Sequence, residues 1–251
     1  MPLPFPWRPC AAAEEETPNR TIDARLLEHL RAFDTPTICN ALEIVAPERR
    51  AAGFTSRPFV CAFPAMPPIV GFARTATIRA RERSTEPAAE LRSRRLSYYE
   101  YVAAAPGPAI AVIEDLDPEP GFGAFWGEVN TAVHKGLGVL GCVTNGSIRD
   151  LDMVATDFQL LAGCVAPSHA WVRVEAFEVG VTVHGMRVRH GDLLHADRHG
   201  AVVIPPEAVE RLPVAIDLCT RREAPVIAAA RQAGFNVEQL RTAMAEADDI
   251  H

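Results

Sequence analysis

The alternation of apolar and polar positions along the chain predicts several strands. Residues 69–80 alternate and are rich in β-branched side chains, which is typical of a strand. Residues 109–113 and 139–144 are almost entirely apolar, as expected of short strands that are buried on both faces. Residues 160–165 begin a further strand. Between residues 170 and 205, glycine-containing turns separate several short strands, so this part predicts a compact β section.

Helical spacing of apolar residues marks the segments between and around these strands. The predicted helices cover two elements within residues 21–51, then residues 86–105, 124–136 and 151–158, and finally the segment from 206 to the end, which Pro225 can break. The proline-rich residues 1–18 predict an extended or disordered arm. The pattern as a whole predicts one α/β domain over residues 19–251 with a C-terminal helical tail.

Composition narrows the function classes. The chain has 251 residues, 48% hydrophobic side chains and a formal net charge of −7, which is ordinary for a globular protein. This charge argues against a nucleic-acid partner, because no basic face is evident that could neutralise phosphates. The one basic cluster, residues 79–95, is interleaved with acids and is interpreted as a solvated helix face. No transmembrane run or signal peptide is evident, so we expect a cytoplasmic protein with no membrane partner.

Arg149 and Asp150 are the first candidates for chemistry. They follow the buried strand 139–144 and a turn at Asn145 and Gly146, and ligands of α/β folds bind at the carboxyl ends of strands. Asp150 is a hard oxygen ligand suited to Mg²⁺ or Mn²⁺. The guanidinium of Arg149 can hold a carboxylate or an enolate oxygen in a planar fork. The alternative is a structural pair that caps the following helix.

Glu128 opens a predicted helical turn after a glycine-rich loop. The amide groups of Val129 and Asn130 and the positive end of the helix dipole can receive a substrate carboxylate there. Glu128 can then handle a proton or a metal-bound water. The alternative is that an acid in a first helical turn is simply favourable.

Other chemistry-bearing residues have less specific surroundings. His195 and His199 are spaced for a helical metal pair, but their neighbours predict turn and strand, which favours a histidine hydrogen-bond network. Lys135, the only lysine, precedes Gly136 at a predicted helix end, where it complements the helix dipole. Iminium chemistry is therefore not expected. Ser168 and His169 lack the elbow motif of serine hydrolases.

Four segments resemble one known family. Residues 34–42, 71–79, 127–150 and 185–205 are similar to the 4-hydroxy-4-methyl-2-oxoglutarate aldolases, also called the RraA-like family after regulator of ribonuclease E activity A and formerly known as demethylmenaquinone methyltransferases. The signature is an acid, twenty residues, and then Arg-Asp. Glu128, Arg149 and Asp150 meet it in this chain.

The resemblance implies a swivelling β/β/α-type single domain that forms a homotrimer or a hexamer. It also implies a lyase that needs Mg²⁺ or Mn²⁺ and cleaves a C–C bond in a pyruvate-type 2-oxo acid, by retro-aldol cleavage, oxaloacetate decarboxylation or both. Asp150 would hold the metal, Arg149 the developing oxyanion, and Val129 and Asn130 the substrate carboxylate. Two alternatives stay open: a non-catalytic, protein-binding regulator of a ribonuclease, and a related metal-dependent decarboxylase or C–C hydrolase on another oxo-acid.

The chain also departs from the family pattern. Glu128 stands where the family usually has an aspartate, and Asn145 replaces the usual aspartate before the glycine of the turn. The family also uses an acid from a neighbouring subunit's C-terminal helix, for which Glu223 is the nearest candidate. Trp126, His169 and His199 are candidates for substrate selection in a distal pocket.

Overall fold

The computed structural model describes residues 22–251, and the predicted arm at 1–18 lies outside them. The helices are α1 Ala24–Leu30, α2 Thr35–Val45, α3 Ala88–Ala103, α4 Glu128–Gly136, α5 Leu212–Ala230 and α6 Val237–Asp248. The strands are β1 Val60–Cys61, β2 Ile69–Arg79, β3 Ala109–Asp115, β4 Val139–Thr144, β5 Ser147–Ile148, β6 Gln159–Ala162, β7 Cys164–Val165, β8 Arg173–Phe177, β9 Val181–Val183, β10 Met186–Val188, β11 Leu193–Asp197 and β12 Gly200–Ile204.

Eight strands form one curled, mixed sheet in the order β1-β6-β4-β3-β2-β11-β12, with β8 paired to β2 off this path. The central strands β2, β3, β4 and β6 run parallel to one another, whereas the outer pairings are antiparallel. The first half of β2 pairs with β11 and its second half with β8, which its length of 11 residues allows. The strands predicted at 69–80, 109–113 and 139–144 are confirmed.

Side chains of the central strands alternate between two cores, as strand geometry requires. On β3, Ala111 and Ile113 face a core that includes α3, against which α4 packs through the His134 ring, whereas Ile110 and Val112 face a second core that includes β9 and β10. A third core joins α1, α2 and α5 to β11 and β12. The candidate site therefore lies on the side of the sheet that is covered by α3 and α4. The helices α1, α2 and α5 pack at the end of the sheet formed by β11 and β12.

Three predicted helices differ from the structure. The segment 151–158 forms turns instead of a helix, because Asp150 and Asp157 adopt φ angles of 55° and 58°. The helix predicted from residue 124 begins only at Glu128, because Ala124 donates to the Ser168 carbonyl and Trp126 bridges to Ile148 in extended conformation.

The C-terminal helix continues through Pro225 to Ala230. The break between the two helices lies farther along the chain, after Ala230, and α6 begins with a capping box formed by Asn236 and Gln239. Packing of α6 along α5, together with the hydrogen bond from Arg222 to the Ile250 carbonyl at 2.9 Å, stabilises the helix around the proline. Within residues 22–251, no helix is both long and apolar enough to span a bilayer.

Candidate active site

A close contact between two chain segments forms the candidate site. The amide of Arg149 donates to the Trp126 carbonyl at 2.9 Å, and this bond aligns the segment after β5 with the segment before α4. Gly127 lies at the contact, where an added Cβ would be 2.6 Å from Asp150 Oδ2 and 3.1 Å from Arg149 Cγ. A side chain at this position would press against both candidate residues, so glycine allows the two segments to approach closely.

The carboxylate of Asp150 lies at the N-terminus of α4. Its Oδ2 accepts from the Glu128 amide at 3.3 Å and lies 3.5 Å from Arg149 Nε. Both side chains keep about one-third of their surface exposed. No helix follows Asp150, so the alternative that the Arg-Asp pair caps one is wrong. Asp150 has a left-handed backbone conformation, which costs free energy in a non-glycine residue and is frequent at functional sites.

The first turn of α4 leaves backbone amides unused. The first α-helical hydrogen bond joins the Thr131 amide to the Gly127 carbonyl at 3.0 Å. Among the described residues, the amides of Val129 and Asn130 have no hydrogen-bond partner, as the helix-start prediction requires. The side chain of Asn130 has a different role. It is buried, and it donates to the Phe125 carbonyl and accepts from the Tyr99 hydroxyl, so it holds the turn in place.

A cavity of about 670 Å³ opens beside this turn. Its walls come from α3, from the first turn of α4 and from residues 169–174. Five arginines line it, namely Arg83, Arg92, Arg95, Arg149 and Arg173. Glu86 is the one acid of the described chain in the same wall, and its carboxylate is paired with Arg94. Arg173 is paired with Glu175, and Arg149 lies beside Asp150, so Arg83, Arg92 and Arg95 supply the positive charge of this cavity in a chain of net charge −7.

The interpretation of residues 79–95 as a solvated helix face missed this cavity. Arg92 and Arg95 are exposed, as expected of such a face, but they form part of the cavity wall. Helical periodicity showed that these residues are exposed, but it could not show which element α3 would face. The sequence therefore predicted that these arginines are exposed, but it did not predict that they line a cavity next to α4.

The side-chain donor atoms at the candidate site fit Mg²⁺ better than they fit zinc. Among residues 22–251, no group of three or more His, Cys, Asp or Glu side chains is arranged to hold an ion. Zinc sites require three or four protein donors and do not fit. Mg²⁺ takes only one or two carboxylates and fills its remaining positions with water and substrate oxygens. The carboxylate of Asp150, which is about one-third exposed, is compatible with an ion of this second kind.

The two predicted glutamates lie in different places. Glu128 is the first residue of α4, is exposed, and meets Asp150 through its own amide. Glu223 is exposed on α5, whose inner face packs into the core with α2 and β12, and it does not line the cavity of the same chain. A role for Glu223 therefore depends on a second chain.

Asn145 fastens the turn after β4 to the end of β3. Its Oδ1 accepts from the Asp115 amide at 2.7 Å, and its Nδ2 donates to the Asp115 carbonyl at 3.0 Å. An aspartate could accept but could not donate the second bond. The departure from the family pattern therefore has a structural reason in this chain.

Residues 195–199 form a closed hydrogen-bond network on another part of the sheet. His195 is buried, with Nε2 near the Leu30 and Phe33 carbonyls at 3.2 and 3.0 Å, and Nδ1 at 3.0 Å from Thr35 Oγ1. Burial lowers the pKa of His195 below its usual value. Burial alone would raise the pKa of Asp197, but amide donors from Thr35 and His199 lower it. The predicted histidine network is confirmed.

Of the remaining candidate side chains, only one lines the cavity. Trp126 is 1% exposed and His199 belongs to the separate network, so neither selects substrate in this cavity. His169 lines it. Lys135 donates to the Thr156 carbonyl on the surface, outside any apolar pocket that would suit iminium chemistry.

Comparisons with known proteins agree with the fold. An uncharacterized protein from Pseudomonas syringae pv. tomato str. DC3000 superimposes with a TM-score of 0.66 at 21% identity, covering 96% of this chain and 99% of that one. Streptomyces coelicolor RraAS2, described as an unusual member of the RNase ES inhibitor RraA protein family, gives 0.62 at 20% identity, with 84% and 98% covered.

No curated protein matches the chain. The sequence model of the RraA-like family, described as Aldolase/RraA, matches residues 35–203, which include Glu128, Arg149 and Asp150. This match covers well over half of the chain. The protein therefore has the RraA-like α/β fold and belongs to the RraA-like family.

Proposed function

We propose that the protein is a divalent-metal-dependent carbon–carbon lyase that acts on a pyruvate-type 2-oxo acid. The observation that carries this proposal is the contact between Arg149, Asp150 and the first turn of α4 at the edge of a basic cavity. A guanidinium, a carboxylate and unused helix amides meet there, and each suits a different part of a metal-bound oxo-acid.

Each residue then has a defined role. Asp150 would hold Mg²⁺ or Mn²⁺, which supplies Lewis-acid stabilisation of negative charge on the 2-oxo oxygen when it is bound. Arg149 donates to the oxygen on which charge develops as the C–C bond breaks. The amides of Val129 and Asn130 hold the substrate carboxylate.

Proton handling falls to Glu128. In a retro-aldol cleavage the substrate hydroxyl loses its proton as the C–C bond breaks, and the bonding electrons pass to the pyruvate enolate, which is protonated afterwards. Glu128 is exposed beside Asp150 and would take up and return this proton through water. Decarboxylation of oxaloacetate leaves the same enolate and would use the same residues.

Pyruvate release tests the proposal. The substrates are 4-hydroxy-4-methyl-2-oxoglutarate and oxaloacetate, each assayed with Mg²⁺, with Mn²⁺ and after EDTA. We expect turnover that EDTA abolishes and that added metal restores. Turnover of oxaloacetate alone would support an enolate-forming site but would indicate a different physiological substrate. The protein could then be a related decarboxylase or C–C hydrolase that acts on another oxo-acid. No turnover of either substrate would contradict the lyase proposal.

We also propose that the protein is a homotrimer or a hexamer in which Glu223 of one subunit completes a neighbour's site. The exposure of Glu223 on α5, away from its own cavity, supports a role across a subunit contact. Mixing Glu223→Gln with Asp150→Asn subunits tests it, because some mixed contacts would combine two intact halves. Activity in the mixture, with each variant inactive alone, is expected. Full activity of Glu223→Gln alone would contradict the role.

A second candidate function is a protein-binding regulator of a ribonuclease. It rests on the family, whose description joins aldolases with RraA proteins, and on the RNase ES inhibitor family of the Streptomyces coelicolor relative. A regulator does not need the Asp150 carboxylate. Ribonuclease inhibition that Asp150→Asn leaves unchanged, together with absence of turnover, would favour this candidate.

A further inference from the structure

Trp171 is an aromatic side chain that the fold leaves exposed in the wall of the cavity beside α4. It is 54% exposed, whereas Trp126, the other tryptophan between residues 22 and 251, is 1% exposed within a core. Tryptophan is highly buried on average in folded proteins, because its large ring gains much from leaving water. An exposed indole that lines a cavity is therefore available to a ligand.

The segment that carries Trp171 is fixed by backbone hydrogen bonds. The Trp171 amide donates to the Ala80 carbonyl at 3.0 Å, and the Ser168 carbonyl accepts from the Ala124 amide at 2.9 Å. Between these two bonds, Ala170 adopts a left-handed conformation with a φ angle of 45°, which costs free energy in a non-glycine residue. The fold therefore holds the indole in the cavity wall.

One face of the Trp171 ring lies against a cation. The Arg83 guanidinium is 5.5 Å from the ring centroid, and Arg83 lines the cavity as well. Phe122 has a similar arrangement outside the cavity, since it is 49% exposed and the Arg81 guanidinium lies 5.2 Å from its centroid. An indole has two faces, and the second face can stack on an aromatic ring of a ligand. Trp171 therefore offers a stacking surface to the cavity.

The helix α3 lies between the Trp171 segment and the first turn of α4. Arg94 donates to the Val174 carbonyl at 3.4 Å, and its neighbour Arg95 donates to Asn130 Oδ1 at 3.4 Å. Consecutive helical residues point in different directions, so these two contacts join α3 to two different walls of the cavity. A ligand held at the turn of α4 would therefore extend along α3 to reach Trp171.

The size and the lining of the cavity favour an aromatic group at that far end. Its volume is about 670 Å³, a size that accommodates a drug-sized ligand, and a pyruvate unit at Arg149 would fill only a small part of it. Leu91 and Arg92 line the cavity from α3. Guanidinium groups stack on aromatic faces. Together with Trp171, this lining suits a flat aromatic ring better than a saturated one.

We propose that Trp171 is a specificity-determining residue that stacks on an aromatic ring of the substrate, at the end remote from Arg149 and Asp150. The proposal rests on the proposed function, which places the oxo-acid end of the substrate at the first turn of α4. The substrate class is then a 4-aryl-4-hydroxy-2-oxo acid.

Retro-aldol cleavage of this class balances without a further reactant. The bond between C3 and C4 breaks, and the C4 hydroxyl loses its proton and becomes the carbonyl of an aromatic aldehyde. The bonding electrons pass to the pyruvate enolate, which takes up a proton at C3. The products are pyruvate and the aromatic aldehyde, whose ring would leave Trp171 on release.

Binding of two matched, non-cleavable ligands tests the proposal. 2-Oxo-4-phenylbutanoate and 4-cyclohexyl-2-oxobutanoate have the same carbon skeleton and differ only in whether the ring is aromatic, and calorimetry with Mg²⁺ measures their affinities. We expect the ratio of the two affinities, phenyl over cyclohexyl, to fall about threefold to tenfold in Trp171→Leu, the range for an aromatic pair beyond its buried area. Trp171→Phe should retain part of the ratio, because it keeps a ring. The phenyl ligand should also change the native tryptophan fluorescence, and Trp171→Phe should lose that change.

Phe122→Leu is the matched control. It removes an exposed aromatic ring that also lies beneath an arginine but does not line the cavity. The control should keep the native ratio, and both leucine variants should unfold near the native temperature because both side chains are about half exposed. A native protein that does not bind the phenyl ligand, or a Trp171→Leu variant that keeps the native ratio, would overturn the proposal.

Turnover separates this proposal from the proposed function. 4-Hydroxy-2-oxo-4-phenylbutanoate and 4-cyclohexyl-4-hydroxy-2-oxobutanoate both release pyruvate on retro-aldol cleavage and again differ only in the aromaticity of the ring. Trp171→Leu should lower the ratio of their kcat/KM values about threefold to tenfold. A binding ratio that depends on Trp171 without turnover of either substrate would support the stacking site and contradict the lyase. Turnover of both substrates at a ratio that Trp171→Leu leaves unchanged would support the lyase and contradict the stacking site.

Discussion

Two polar regions of this protein look similar in sequence and differ in structure. Residues 145–150 and residues 195–199 each place charged side chains at or just beyond a buried strand. In the second region His195 and Asp197 are buried, and their polar atoms contact Thr35, His199 or backbone carbonyls. In the first region Arg149 and Asp150 are one-third exposed and share only a long contact of 3.5 Å.

Polar groups that serve the fold can therefore be told apart from polar groups that are candidates for ligand binding. A buried polar group must find partners within the fold, since leaving it unpaired is costly. The network at residues 195–199 meets that requirement and joins the turn between α1 and α2 to β11. The site at Arg149 and Asp150 leaves donors, acceptors and helix amides available to a ligand, and it includes a strained backbone at Asp150.

Asp150→Asn should have the largest effect. Asparagine tolerates the left-handed conformation but removes the charge that a divalent cation requires. We expect metal-dependent turnover to fall by about a thousandfold or more, with little change in the unfolding temperature. Steady-state pyruvate release measures the loss, and Asp152→Asn, an exposed acid two residues away, is the control. Unchanged turnover would remove Asp150 from the site.

Arg149→Lys should have the next largest effect. Lysine keeps the charge but cannot present two parallel donors, so kcat/KM should fall about tenfold to a hundredfold. Saturation kinetics on the substrate that gives the highest turnover measure it. Kinetics equal to those of the native protein would reduce Arg149 to a structural residue that packs against Gly127.

Asp197→Asn should affect stability and leave catalysis unchanged. Its two oxygens accept from the amides of Thr35 and His199 at 2.9 and 2.8 Å, and an asparagine would turn one N–H donor toward another. The free energy of unfolding should fall by about 2 kcal/mol, as measured by denaturant titration. The kcat/KM of the folded variant should stay within about twofold of native. A large loss of activity in a stable variant would break the division between the two regions.

His134 extends the comparison to the layer beneath the site. It is fully buried, its Nδ1 bonds to the Asn130 carbonyl at 2.6 Å, and its Nε2 contacts the Tyr98 hydroxyl at 2.8 Å. Burial lowers the pKa of His134 from 6.5 to about 4, so the folded state keeps it neutral. The unfolded state binds the proton more readily, so the contribution of His134 to stability is complete above pH 6.5 and is lost as the pH falls toward 4.

Unfolding at pH 7 and pH 5 measures this contribution. Between these pH values the native protein should lose about 2 kcal/mol through His134. His134→Gln lacks this titration, so its loss over the same interval should be smaller by that amount. Equal losses in both proteins would show that His134 does not titrate as its burial implies.

Local patterns predicted the elements whose conformation depends on near neighbours. The alternation of β2 and the apolar runs of β3 and β4 reflect which faces are buried, so these strands were predicted correctly. The segment 151–158 has helical spacing, but Asp150 and Asp157 take up left-handed conformations that periodicity does not report. The continuation of α5 through Pro225 depends on packing against α6, which is likewise invisible in the local pattern.

The candidate site was also predicted only in part, because some of its contacts join segments that are distant in sequence. The spacing of acidic and basic residues predicted a site at Glu128, Arg149 and Asp150. In the structure, the amide of Glu128 donates to the Asp150 carboxylate. The sequence did not predict that Gly127 permits this contact, since only the approach of two distant segments shows the lack of space. The contact between α3 and α4 was not predicted either, because Tyr99 and Arg95 lie 31 and 35 residues from Asn130, to which both donate hydrogen bonds.

Binding of Mn²⁺ to Asp150 can be measured without knowing the substrate. The electron paramagnetic resonance signal of free Mn²⁺ is titrated with the native protein and with Asp150→Asn, each with and without pyruvate. We predict one binding site per chain in the native protein, tighter binding with pyruvate, and loss of the site in the variant. Equal binding by the two proteins, or no binding by the native protein, would contradict the assignment of Asp150 as the metal ligand.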